Sequence, residues 1–299
     1  MTRRRPARDT SRGVTVAALI RSGAARFAAA RLAFGHGTSS AMDEAAYLVA
    51  HALSVPLERL PALAATQPSA AGATAVQRLF DRRIAERKPA AYLVREAWLG
   101  GRPFYVDERA IVPRSHVAEL LRDDLAPWIA APRGIRAALD LCSGSGCLAV
   151  LLARCFPQAR IDAADISHAA LEVARINVRR YRLGKRIRVV RSDLFSALAG
   201  RRYDLIVSNP PYVTAPAMRR LPPEYRHEPR LALAAGADGL ALVRRILRRA
   251  RVHLNPGGLL VVEVGSGRAR VERAFPRAGF VWPELTTGYP VFIATREQL

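Results

Sequence analysis

From Ile135 to the end of the chain, short apolar runs alternate with amphipathic segments. That alternation requires a parallel sheet covered by helices on both faces, an α/β architecture. The runs fall at Ala137–Leu141, 161–164, 187–190, Tyr203–Ser208, 259–264 and 291–294, with helices expected over Cys147–Cys155, 169–181 and 240–253. The last run differs. It follows the turn-rich stretch 284–289 too closely for a helical crossover, so an antiparallel last strand is the simplest ending.

The preceding residues have another character. Residues 14–95 are rich in Ala, Leu and Arg at helical spacing, with helices expected near 41–53 and 76–87, the second ended by Lys88-Pro89. They read as a small helical domain, proposed to dock substrate. Residues 96–116 carry Gly100-Gly101 and Pro103 and read as a β-hairpin connector; helical spacing resumes over 115–125 within the catalytic part, 117–299. Residues 1–13 are basic and without periodicity and read as a disordered arm. With 299 residues, 50% of them apolar, two domains are affordable. No run is long and apolar enough for a membrane helix, and the Arg-rich start lacks the apolar stretch of a secretory signal. Cys142, Cys147 and Cys155 fit neither a disulfide framework nor a zinc site and read as thiols in a reducing compartment, the cytoplasm.

The net charge of +22 has two readings. One is contact with RNA or a pre-ribosomal particle. The other is residue-usage bias, because only Lys88 and Lys185 are lysines among 47 basic residues.

The first strand ends in Asp140-Leu141-Cys142-Ser143-Gly144-Ser145-Gly146. Gly144 and Gly146 let backbone approach a ligand, but Cys142 stands where a dinucleotide fingerprint has its first glycine, and no third glycine follows. Asp140 beside the turn suits a cationic ligand end. Asp165 ends the second strand, nineteen residues after Gly146, where a carboxylate reaches a ribose diol. Asp193 follows the third strand and suits an adenine amino group. Together these form a nucleoside pocket along the carboxyl ends of the strands.

The fourth strand runs directly into Asn209-Pro210-Pro211-Tyr212. These residue types suit a planar nitrogen whose lone pair is delocalised. The Asn209 side-chain carbonyl and the Pro210 main-chain carbonyl accept from its two N–H groups, and the Tyr212 ring stacks on a flat group.

With these residues in view, Asp140–Gly146 and Asn209–Tyr212 resemble the class I, Rossmann-like amino-methyltransferases. Within them the chain is similar to the bacterial protein-glutamine methyltransferases from about residue 15 onward. The resemblance implies a seven-stranded, mostly parallel sheet with an antiparallel last strand, plus a small N-terminal helical domain. It implies S-adenosyl-L-methionine as cofactor, held by Asp140, Cys142, Gly144, Gly146, Asp165, Asp193 and Asn209, with Asn209, Pro210 and Tyr212 as the catalytic set. The connector from Glu96 to Ser115 and the closing Thr295–Leu299 are similar to the branch that modifies a large-subunit ribosomal protein, the third by its numbering. The release-factor branch usually has Pro and an acid where this chain has Ser115 and His116. His227-Glu228-Pro229-Arg230 occurs in both branches.

Two other functions stay open at this point. An exocyclic adenine amine in RNA or DNA is also planar, and the same tetrapeptide suits it, although no target-recognition domain is visible. A non-catalytic RNA-binding assembly factor is the second.

Overall fold

The computed structural model describes residues 13–286 and 288–299. The expected arm at residues 1–13 lies, but for Gly13, outside the described residues. The chain divides into two compact units, Met1–Val94 and Arg95–Leu299, and the connector falls in the second.

The first unit is helical: α1 (Val16–Ala29), α2 (Ala41–Ala52), the one-turn α3 (Leu60–Leu63), α4 (Ala70–Glu86) and α5 (Ala90–Val94). Side-chain oxygens of Thr15, Ser40 and Ser69 accept from the first-turn N–H groups of Ala18, Asp43 and Gly72 and so start α1, α2 and α4. The Ser69 cap explains why α4 begins six residues before the expected 76. The run Ala70-Ala-Gly-Ala-Thr has no apolar period, but it is alanine-rich and capped. Phe27 and Phe80 meet edge to face at 5.2 Å in the core of this unit. Beside them the buried Arg83 donates to Glu44 Oε1 at 2.6 Å and to the Ala33 carbonyl at 3.0 Å.

The second unit opens with the hairpin β1 (Ala97–Leu99) and β2 (Arg102–Phe104), antiparallel, followed by α6 (Val117–Arg122). Then come β3 (Ala137–Leu141), α7 (Cys147–Cys155), β4 (Arg160–Asp165), α8 (His168–Arg180), β5 (Ile187–Arg191) and β6 (Tyr203–Ser208). The one-turn α9 (Ala215–Met218), α10 (Ala241–Ala250), β7 (Leu254–Glu263), α11 (Arg268–Ala274) and β8 (Val291–Thr295) complete the unit. The sheet order is β5-β4-β3-β6-β7-β8, parallel except for β8 against β7.

The seven-stranded expectation needs a correction. Among the described residues the sheet has six strands, and the segment between α11 and β8 contributes one isolated antiparallel bridge, Val281 to Ile293. Proline at 283 and the turns after it leave no room for a longer ladder. The expected helix 240–253 also stops at Ala250 and tightens into a 3-10 turn, Arg251–His253.

Along the strands successive side chains point to opposite faces of the sheet. Ala138, Leu205, Val207, Val261 and Ile293 lie in the cluster formed with α6, α7 and α8, whereas Leu139, Leu141, Ile206, Leu260 and Phe292 lie in the cluster formed with α10 and α11. Both faces of the sheet are therefore dry, and polar chemistry is left to the strand ends.

Candidate active site

The carboxyl ends of four neighbouring strands collect the acids and the asparagine. In sheet order Asp193 follows β5, Asp165 ends β4, Asp140 precedes the end of β3 and Asn209 follows β6. Register brings Leu141 level with Ala164 and with Ser208, and Ser208 Oγ donates to the Leu141 carbonyl at 2.7 Å. At ~4.8 Å between strands, the four ends span about 15 Å.

The glycine turn is held by the strands beside it. The Gly144 N–H donates to Asp165 Oδ2 at 2.8 Å, and the Ser143 N–H to the Ala164 carbonyl at 3.0 Å. Gly146 caps α7 at φ +73°, and a Cβ there would lie 3.0 Å from the Ala174 side chain on α8. Cys142 takes φ +62°, and burial pushes its thiol pKa up. All three cysteines are free thiols.

Asp140 is fully buried. Its Oδ2 accepts from the Ala149 N–H at 2.8 Å, in the first turn of α7, while Oδ1 has no partner among the described residues. Burial pushes its carboxyl up to about 7, and the neighbouring Asp165 adds to that. Asp165 accepts from Gly144 and, through Oδ1, from the Ser167 N–H at 2.8 Å, and burial raises its pKa too. Asp193 is exposed, and its carboxylate is paired with Arg245 of α10 at 2.7 Å. An adenine amine at Asp193 has to share that carboxylate with a guanidinium.

Asn209 is oriented from the connector. Its Nδ2 donates to the Arg114 carbonyl at 3.1 Å; a carbonyl only accepts, so Oδ1 is turned the other way with no described donor on it. Arg114 is itself locked, its guanidinium forked onto Glu228 with both contacts at 2.6 Å and lying 5.6 Å over the Tyr225 ring. Glu228 also accepts from the Val112 N–H at 3.0 Å. Glu263 ends β7 and continues the β6–β7 register beside Asn209. Its Oε2 accepts from Ser115 Oγ at 2.7 Å and from the His116 N–H at 2.8 Å, and Oε1 is buried without a partner among the described residues. Burial pushes Glu263 up to about 7. Three consecutive connector residues, Arg114, Ser115 and His116, thus fix two neighbouring strand ends.

Pro210 is buried and Tyr212 half-buried. The Tyr212 ring lies against Gly265, where φ is +50° and a Cβ would sit 2.5 Å from ring carbon Cε2. Burial raises the Tyr212 phenol, and Glu263, Tyr289 and Tyr225 act in the same direction from nearby. His116 stacks on Tyr289 at 4.4 Å, so the tetrapeptide has an aromatic surround.

Several of these residues escape a reading along the sequence. Arg114, Glu263 and Gly265 gain their roles through contacts across the fold. Asn177 is another: buried on α8, it donates to the Ser145 and Tyr105 carbonyls at 2.9 and 3.0 Å and accepts from the Tyr105 N–H at 2.8 Å. It ties the glycine turn to the connector. The one sequence signal for it is a polar residue on the apolar face of an amphipathic helix.

The residues fit S-adenosylmethionine. Buried, unpartnered oxygens at Asp140 Oδ1 and Ser143 Oγ, and acceptor capacity on Asp165, match a ligand rich in cationic and hydroxyl donors.

Comparison with known proteins adds the family. A family model described as "Methyltransferase small domain" matches residues 125–220. A solved methyltransferase from Pyrococcus furiosus is 18% identical, with a TM-score of 0.46, covering 64% of this chain and 88% of that one. At that score the family assignment rests on relatives in sequence. The "Ribosomal protein uL3 glutamine methyltransferase" of Neisseria meningitidis serogroup B is 51% identical over 95% of this chain and 94% of its own. The protein of the same name from Burkholderia pseudomallei is 49% identical over 92% of each. The chain belongs to the family of ribosomal protein uL3 glutamine methyltransferases.

Proposed function

We propose that this protein methylates a glutamine side-chain nitrogen of ribosomal protein uL3. Its methyl donor is S-adenosylmethionine, which supplies a methyl group already made electrophilic by the sulfonium. The observation that carries the reading is Asn209, whose amide is turned by the Arg114 carbonyl so that Oδ1 is left to accept. Asp140, Cys142, Gly144, Gly146, Asp165, Asp193 and Asn209 are assigned to the donor along the strand ends.

The chain's own residues address the nucleophile. A glutamine amide nitrogen shares its lone pair with the carbonyl. Accepting its two N–H groups at Asn209 Oδ1 and the Pro210 carbonyl returns density to nitrogen and fixes its direction. The Tyr212 ring covers the flat amide and excludes water. Positioning of this kind contributes on the order of 7–11 kcal/mol. A C–N bond forms as the S–C bond breaks, and the nitrogen's surplus proton leaves to solvent. No base is required before transfer.

We assign substrate docking to the helical residues 14–95 and the reaction to the cytoplasm, where the three free thiols stay reduced. No described helix is long and apolar enough to cross a membrane. Contact with RNA of an assembling particle is a further part of this reading, supported by the net charge of +22.

The test is tritiated methyl transfer into an extract lacking this enzyme, with half of the sample treated with nucleases. The reading expects label in one nuclease-resistant ribosomal-protein band that maps to a glutamine. Label that disappears with the nucleases and is recovered as methyladenine contradicts it.

A further inference from the structure

The opposite end of the sheet is lined with arginines that the reaction does not use. Arg136 precedes β3, Arg160 opens β4, Arg202 precedes β6, and Arg251 sits in the turn before β7. These four strands are consecutive in the sheet. Register sets the side chains in a row: Ala137 is level with Arg160 and Tyr203 with Leu254, and the Arg160 N–H donates to the Arg136 carbonyl at 2.8 Å. Arg249, at the end of α10, joins them. It stands two positions before Arg251, which opens the 3-10 turn leading into β7. All five arginines are exposed, and none has an ion-pair partner among the described residues.

The acids of this edge are already engaged. Asp162 accepts from Arg188 at 2.8 and 2.9 Å, from Arg201 at 3.3 Å and from the Tyr203 hydroxyl at 2.7 Å. Asp204 accepts from the N–H groups of Arg136 and Ala137 and from Asn255 at 2.7 Å. Glu297 accepts from the Gly257 N–H at 3.0 Å. At the Asn209 end, three arginines are paired with acids: Arg109 with Asp107, Arg114 with Glu228 and Arg245 with Asp193.

We propose that this amino-terminal edge of the sheet binds the phosphate backbone of RNA and holds the enzyme on the particle that carries its substrate. The proposal rests on the RNA-contact part of the reading above. Four strands at ~4.8 Å spacing make a row of about 15 Å. Phosphate binding requires only such charge, with no base readout. A protein partner requires an apolar centre, and the exposed apolar side chain beside the row is Val252 alone among the large hydrophobics. Strands of five or six residues at ~3.3 Å each put the edge about 17–20 Å from Asn209, so bound RNA leaves the glutamine site open.

The experiment is anisotropy of a short labelled RNA of mixed sequence titrated with the full chain over a salt series. Arg202→Gln/Arg249→Gln/Arg251→Gln is compared with Arg21→Gln/Arg59→Gln/Arg78→Gln, three exposed arginines of the first unit. The edge variant is expected to lose on the order of tenfold to a hundredfold in affinity, and its log–log salt slope to become shallower by about 2. The first-unit variant is expected to keep both. Equal losses in the two variants, or no loss in the edge variant, overturn the proposal, as does labelled polyglutamate binding the edge as tightly as RNA. Methylation of free substrate protein is measured on the same preparations. It is expected to be unchanged by the edge substitutions, which separates failure here from failure of the catalytic reading.

Discussion

Replacing Gly265 with alanine tests whether Tyr212 must sit where the fold puts it. The new Cβ would lie 2.5, 2.6 and 3.0 Å from ring carbons Cε2, Cδ2 and Cζ. Carbon atoms rest at ~3.5–4.0 Å, so the ring has to withdraw by about 1 Å or more. The φ of +50° adds roughly 1–2 kcal/mol of strain for any L side chain. A misplacement of about 1 Å in a positioning group costs on the order of a hundredfold in rate. Single-turnover methyl transfer is therefore expected to slow about a hundredfold, while donor affinity by calorimetry stays within about threefold and the chain remains folded by circular dichroism. The donor pocket lies on the other strand ends, which is why the two readouts separate. Single-turnover rates within about threefold of wild type would refute the reasoning, because the ring position would then be irrelevant to transfer.

Other outcomes follow from the same contacts. Asn209→Ala is expected to lower kcat by two or more orders of magnitude, far more than it lowers donor affinity, read by steady-state kinetics beside calorimetry. Glu263, held near 7 against an ordinary 4.5, binds its proton more tightly folded than unfolded. Its stabilising contribution is thus fully present below about pH 4.5 and is lost as pH rises through 7, on the order of 3 kcal/mol. Urea unfolding of Glu263→Gln is expected to show a flatter decline between pH 5 and 8 than wild type; an identical decline removes Glu263 as its source. Arg83→Ala leaves Glu44 buried and uncompensated, and equilibrium unfolding is expected to report a loss of about 3–5 kcal/mol.

The elements that reasoning along the sequence finds best are those whose pattern is local. Ala137–Leu141 and Tyr203–Ser208 are largely apolar runs, each interrupted by one aspartate and bounded by turn residues, and Cys147–Cys155 follows a glycine turn, so each has the extent that its pattern implies. The start of α4 is missed because a serine cap and alanine propensity outweigh the absence of an apolar face. The start of β7 is missed because Leu254 pairs with Tyr203 ahead of a register shift, through a Pro-Gly-Gly stretch that reads as a turn. The missing seventh strand is a matter of pairing, which a linear pattern does not contain. At the site, residue types and strand ends are legible, because glycine turns and acids at strand ends are local signals. The supports are not. Arg114 and Asn209 are 95 residues apart, and Glu263 and Ser115 are 148 apart, so only the folded register brings them together. The Arg245 partner of Asp193 is hidden for the same reason.

The most direct test of the account is reconstitution from purified parts. The full chain is incubated with the proposed ribosomal-protein substrate and S-adenosylmethionine carrying a trideuterated methyl group, and the digest is sequenced by tandem mass spectrometry. The account predicts one trideuteromethyl group on one glutamine side-chain nitrogen, absent with Asn209→Ala. A methyl group on any other residue type, or an Asn209→Ala enzyme that labels the glutamine at the wild-type rate, contradicts it.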